Sequence, residues 1–485
     1  MIRPRRSDSA MRHGLSWPAV GLVLALVTAC SSPAPVPPTT APAATTAAAA
    51  KPAATAVAAA VATSAPAVAA AAATSAPAAA TAVAAVGAVV KPTGTPIKLG
   101  VLADISAAFA NQGSMMRIMT EYAVQRINAE GGINGRPLQV VYADPKGDPN
   151  QAVQFASQFI QQDNVDVVIG AVSSAECLAV QDLVAKVQTV YVTSTGCASD
   201  ELTSKFCNKY TFRTGPQGIQ TSDPLAAYLV KNYGPNWSII YQDYAFGQSY
   251  QRTMEASLQR AGGNLNVKIA MPLGEANVTP YVSRIPTDGS VTGFLPPTGG
   301  SDVSRVMSVF NQFGLGSKIT VAGASVRENF GGVWPEVLNG EVFIQGHPSV
   351  AIPGNALSEA WVRGATAVAA QPDQKQFADI MGGIDKFGPG GQGYQAYTAI
   401  TALKTAMVKS NYQGKGDTDK MIAAFETLDE QGSIDFPVGR FIMNKNDHQA
   451  NAQQYIIKLN GQQEEVLQVV PAEDIPSIGS CKISG

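Results

Sequence analysis

From Pro96 onward, short apolar runs alternate with stretches whose apolar residues recur every three or four positions, and few folds accept that order. The runs fall at 97–102, 138–142, 165–169, 189–192, 238–241, 267–271, 293–295, 319–322 and 342–345. Helical spacing lies between them: at 116–128, where Met116, Met119, Ala123 and Ile127 share one face, and at 151–162, 175–186, 222–232, 249–261, 301–313 and 395–409. Strands that are apolar throughout and separated by helices predict parallel sheets covered on both sides, so the class is α/β, doubly wound. Roughly 390 residues exceed what one hydrophobic core usually organises, which predicts two lobes with a cleft between them. Ligands of such sheets sit beyond the carboxyl ends of the strands, where helix N-termini offer unpaired N–H groups. That rule singles out the turns at 103–113, 170–175, 193–199, 243–247, 296–302 and 323–328.

The chain before Pro96 follows different rules. Arg3, Arg5, Arg6 and Arg12 precede an apolar run at 19–29 and then Cys30. Spanning a bilayer takes about 20 apolar residues, so this run is too short and residues 1–29 read as an export signal. Val27-Thr28-Ala29-Cys30 resembles a bacterial lipobox, which implies acylation of Cys30 and anchoring on the outer side of the cytoplasmic membrane. An ordinary secretory signal with an incidental cysteine is the alternative. Residues 30–95 hold Cys30 and then little besides Ala, Thr, Pro, Val and Ser, with neither an acidic nor an aromatic side chain. Nothing there builds a core, and the recurring prolines interrupt helix, so a partly extended tether is expected.

Charge and reactive groups narrow the function. With 34 basic against 36 acidic side chains the net charge is −2, which argues against a nucleic-acid partner. Five cysteines without a CxxC pair point to no structural zinc. His13 lies in the signal, leaving His347 and His448, and there is no HExxH, GxSxG or P-loop. The GxGxxG at 388–393 contains a proline and follows no strand, so it reads as a loop before a helix. Asp447 and His448 are adjacent rather than arranged as a base and its orienter, which favours a structural role. Asp148 is expected to cap a helix opening at Pro149 rather than to join Asp144 in a metal loop. The expectation is therefore a binding protein and not an enzyme, with no cofactor and no metal.

Several motifs then occur in a telling order: Gly131-Gly132-Ile133-Asn134-Gly135-Arg136-Pro137-Leu138, Gly147-Asp148-Pro149-Asn150-Gln151-Ala152-Val153, and Val168-Ile169-Gly170 followed by Ser173-Ser174. Tyr210-Thr211-Phe212-Arg213-Thr214, Asp243-Tyr244-Ala245-Phe246-Gly247 and Asp447-His448-Gln449 continue it. Over nearly all of 96–485 this order resembles the type I periplasmic binding proteins of the leucine/isoleucine/valine-binding branch. The resemblance implies two doubly wound α/β lobes joined by a three-strand hinge, closing outside the cytoplasm on a small organic solute, whether amino acid, carboxylate or amide. It also implies delivery to ABC permease subunits, with one lobe at 96–212 plus 349–436 and the other at 213–348 plus 437–485. A sensor that passes occupancy to a receptor or regulator is the alternative role.

Carried over position by position, the resemblance places the ligand carboxylate at Ser174 and Ala175, which open a helix. A second carboxylate-binding turn, glycine-alanine-threonine in the family, falls on Thr195, Gly196, Cys197, Ala198 and Ser199. A stacking aromatic is replaced by Gln112, a tyrosine by Phe246, and a second tyrosine by Gly300 beside Gly299. The acid that pairs with a ligand ammonium falls on Ser325, with Glu328 the nearest acid in that loop. An unpaired buried ammonium is costly, so a free α-amino acid ligand is in doubt. Four cysteines beyond Cys30 allow three pairings, and Cys197 with Cys207 is favoured because they flank one loop. The family's usual disulfide is not available, since its first cysteine matches Gly147.

Overall fold

The computed structural model describes residues 91–323, 327–477, 479, 481 and 483. The export signal, Cys30, most of the tether, and Ser325 lie outside the described residues. In the first lobe, β1 (Ile97–Leu102), β2 (Leu138–Ala143), β3 (Val167–Gly170), β4 (Val190–Thr193) and β5 (Thr211–Arg213) form a parallel sheet in the order β2-β1-β3-β4-β5. Helices α1 (Ala110–Ala129), α2 (Pro149–Gln161) and α3 (Ser174–Val187) connect the strands. Met116, Met119, Ala123 and Ile127 of α1 are fully buried, as their spacing predicts. Asp148 caps α2 as expected, accepting from the Asn150 N–H at 2.8 Å with Pro149 in the first helical position.

The second lobe opens with α4 (Gly218–Tyr233), then β6 (Asn236–Gln242), α5 (Ala245–Arg260), β7 (Asn264–Met271), α6 (Thr279–Val282), β8 (Gly293–Leu295), α7 (Asp302–Gln312), β9 (Thr320–Gly323) and β10 (Val342–Gln345). The chain returns as α8 (Ala356–Ala369), α9 (Lys375–Ile380), α10 (Gln392–Lys409) and α11 (Thr418–Phe425), and α8, α9 and α10 pack on α1. It ends in β11 (Asp429–Ser433), β12 (Phe436–Met443), β13 (Ala450–Ala452), β14 (Gln454–Asn460) and β15 (Gln463–Val470).

This last part corrects the expectation of purely parallel sheets. The second sheet runs β15-β14-β10-β9-β8-β6-β7, and β14 and β15 join it antiparallel to their neighbours. A separate antiparallel sheet, β11-β12-β13, follows α11. β11 and β15 are polar and largely exposed, so pairing rather than burial defines them, whereas β14 is buried along most of its length but carries only a three-residue apolar run at 455–457 between polar residues. The backbone passes between the two main sheets after β5, after β10 and between β13 and β14. At the first passage Arg213 is buried, and its N–H donates to the His448 carbonyl at 2.9 Å, drawing two of the connecting segments together.

Candidate functional site

The carboxyl ends of β3, β4, β6, β8 and β10 open onto one cavity of about 90 Å³. A buried water needs roughly 10–15 Å³ on this measure, so there is room for a small organic solute. Ser174 comes from the first turn of α3, Gln392 and Gln395 from that of α10, and Phe246 from that of α5. First-turn N–H groups lack intrahelical partners and carry the positive end of the helix dipole. Phe109, Tyr244, Phe246 and Tyr250 form an aromatic row along the cavity, with successive ring centroids 6.4, 6.1 and 5.9 Å apart. Among the described residues no Asp, Glu, Lys or Arg lines it.

Eight residues singled out in the sequence come together here: Gln112, Ser174, Gly196, Cys197, Ala198, Phe246, Gly299 and Gly300. Ala175, Thr195 and Ser199 stand one step back. The Ala175 N–H donates to the Ser173 hydroxyl at 3.3 Å, the Thr195 hydroxyl to the Gln392 carbonyl at 3.1 Å, and the Ser199 N–H to the Ser174 hydroxyl at 3.1 Å. Sequence reasoning missed Tyr250, Thr298, Gln345, Gln392 and Gln395. Gln345 ends β10 and Gln392 opens α10, so the rule about strand ends and helix starts, applied to those two, would have found them.

The turn at 196–199 is fixed from several directions. Arg213 donates to the carbonyls of Cys197 (2.9 Å) and Ser199 (2.6 Å), and also to Gln217, Thr203 and Gln449. Burial pulls its guanidinium down to about 10, against the pull of Asp200 and Asp447. Cys197 is bonded to Cys177 in α3, and Cys207 to Cys481, with Cα–Cα distances of 5.9 and 6.3 Å. The expected Cys197–Cys207 pairing is therefore wrong. Adjacent parallel strands β3 and β4 bring the first turns of α3 against the turn after β4, and that tertiary proximity overrides closeness along a loop.

Beneath this turn lie two buried acids. Asp104 accepts from the N–H groups of Gly147 (2.8 Å) and Val172 (3.2 Å), and Glu176 from that of Ser173 (3.1 Å). Burial and then their mutual repulsion raise Glu176, while burial raises Asp104 against the N–H groups it accepts from. The pair therefore shares one retained proton at neutral pH, so one negative charge rather than two lies beneath the N-terminus of α3. Glu328 is buried behind the cavity and pushed up to about 8 by desolvation.

Neither buried histidine is placed as a base for a cavity hydroxyl. His347 meets the Pro348 carbonyl (2.5 Å) and the Ser358 hydroxyl (3.0 Å). His448 meets the Thr211 carbonyl (3.1 Å) and Glu426 (3.0 Å), and stacks on Phe212 at 3.9 Å. Among the described residues no group of three His, Cys, Asp or Glu is placed to hold a metal.

A family model described as periplasmic binding protein matches residues 96–464. A Leu/Ile/Val-binding protein, BraC3, of Rhizobium johnstonii is 25% identical over 336 residues, covering 66% of this chain and 88% of that protein. The closed leucine-, isoleucine-, valine-, threonine- and alanine-binding protein of Brucella ovis superposes with a TM-score of 0.67 at 20% identity, over 81% of this chain and 100% of that one. A solute-binding protein of an ABC transporter from Rhodopseudomonas palustris, in complex with 3,4-dihydroxybenzoic acid, gives 0.66 at 18% identity, over 79% and 99%.

Proposed function

The chain belongs to the periplasmic binding protein family, in its leucine/isoleucine/valine-binding branch, and on that premise we propose that it is the solute-binding subunit of an ABC importer whose ligand is a small organic carboxylate. Members of this family bind solutes and are not enzymes. The observation that carries the ligand class is the convergence of the α3, α5 and α10 N-termini on a cavity without an ionised lining side chain among the described residues. Partial positive charge from helix ends suits a carboxylate, whereas an ammonium group would need an acid beside it. Ser174 and the 196–199 turn hold the carboxylate, and the aromatic row packs the body of the solute. Acylated Cys30 anchors the protein outside the cytoplasmic membrane, and permease subunits receive the solute.

A thermal-shift screen of the purified protein tests the ligand class, because a solute that binds only the folded state raises the melting temperature by mass action. Aromatic and aliphatic carboxylates should raise it. A rise with branched-chain amino acids alone would instead place an ammonium partner in the cavity and overturn the carboxylate reading. For the anchor, Cys30→Ser should move the protein from the membrane fraction to the soluble fraction.

A further inference from the structure

We infer that the solute carries a neutral hydrogen-bond donor, a hydroxyl or a carboxamide, on the side facing the second lobe, and that Gln345 receives it. This rests on the carboxylate reading and refines it. Four polar atoms of cavity-lining side chains, Tyr250 Oη, Thr298 Oγ1, Gln345 Oε1 and Gln392 Oε1, are buried without a hydrogen-bond partner, and the first three belong to the second lobe. Buried polar atoms are almost always paired, so such a cluster marks atoms that a ligand completes. Three of the four lie on the second lobe, away from the carboxylate-binding donors of the first, and that gives the cavity a direction.

The Gln345 amide has a defined orientation. Its Nε2 lies 3.5 Å from Glu464 Oε2, an oxygen that also accepts from the Ser349 N–H at 2.6 Å. Turning the amide over would set oxygen against oxygen, so Oε1 is left as a pure acceptor. The Tyr250 hydroxyl, raised by burial, stays protonated and, like that of Thr298, can donate or accept. A bare hydrocarbon end facing the second lobe would leave the three atoms there unpaired. An ammonium end would require a carboxylate, and the described lining residues include none.

Isothermal titration of the purified protein with benzoate, 4-hydroxybenzoate, 4-carbamoylbenzoate and 4-methoxybenzoate tests this, with butyrate and 4-hydroxybutyrate as the aliphatic pair. The hydroxyl or carbamoyl compounds should bind about tenfold tighter than the unsubstituted acid, and the methoxy compound, which has no donor, no tighter than benzoate. In Gln345→Leu the affinity ratio between the donor-bearing and the unsubstituted acids, measured on the same preparation, should shrink to about twofold. Thr298→Val, a smaller change, should narrow it in part and serves if the first variant does not fold. Equal binding of hydroxylated and unsubstituted acids, or an advantage that survives both variants, overturns the donor assignment and leaves the carboxylate reading standing. Failure of every one of these carboxylates to bind removes that reading and this one with it.

Discussion

Glu328 shows how a single buried acid ties stability to pH. The folded chain holds its proton up to about pH 8, whereas an unfolded chain releases it near the ordinary value of 4.5. Between those values the folded state binds the extra proton, so this group's contribution falls as pH rises through the window and levels off above it. For one group the slope is about 1.4 kcal/mol per pH unit. Glu328→Gln should therefore match the wild-type protein near pH 4.5 and become progressively more stable than it toward pH 8. Urea denaturation of both proteins at several pH values reads the difference, and parallel curves would show that Glu328 ionises freely in the fold. The Asp104–Glu176 pair acts in the same direction nearer the ligand. Glu176→Gln keeps an acceptor for the Ser173 N–H, so it should preserve carboxylate binding at pH 7 and weaken its decline as pH rises above neutrality. Titrations at pH 7 and 9 would show this.

The same turn is assembled at the scale of elements, and here the sequence was legible to differing degrees. Strands such as β3 and β10 could be read because burial on both faces leaves a nearly unbroken apolar run. β11, with the sequence DEQGS, and β15, whose side chains are mostly exposed, exist because a neighbour pairs with them, and no local pattern announces that. The cavity turns could be located because strand ends and helix starts carry their own signature. The bond between Cys177 and Cys197 could not, since it depends on how α3 lies against the turn after β4. Arg213 stands in a motif that the resemblance marks only as a crossover, and the structure shows its guanidinium gripping the cavity turn. Two predictions follow from that construction. Removing the disulfide with Cys177→Ser and Cys197→Ser should cost about 3 kcal/mol of stability and weaken ligand binding by loosening the turn. Arg213→Met should weaken binding more, because it leaves the Cys197 and Ser199 carbonyls buried and unpaired. Denaturant midpoints and calorimetric affinities measured on the same preparations separate the two effects, and an Arg213→Met protein with unchanged affinity would remove the turn from the binding site.

Across the whole molecule, the lobes meet at hydrogen bonds remote in sequence. Asn111 of α1 donates to the Glu328 carbonyl at 2.7 Å, the amides of Gln112 and Asn329 pair at 2.6 Å, and the Ser301 N–H donates to the Ala108 carbonyl at 3.2 Å. Such bonds exist only while the lobes are together, so they add to the closed state and nothing to an open one. A solute shifts the balance only by its preference for the closed state, and these bonds set how far the balance already leans that way. Asn111→Ala deletes one of them without touching a residue that lines the cavity. A single neutral hydrogen bond contributes about 0.5–1.5 kcal/mol net, so affinity should fall roughly two- to tenfold. Because the bond forms after encounter, the loss should lie in faster dissociation, with the association rate nearly unchanged. Stopped-flow measurement with a carboxylate found in the thermal screen distinguishes the cases. An unchanged dissociation rate would mean that Asn111 does not hold the lobes closed, and a slower association alone would place its role in the encounter instead.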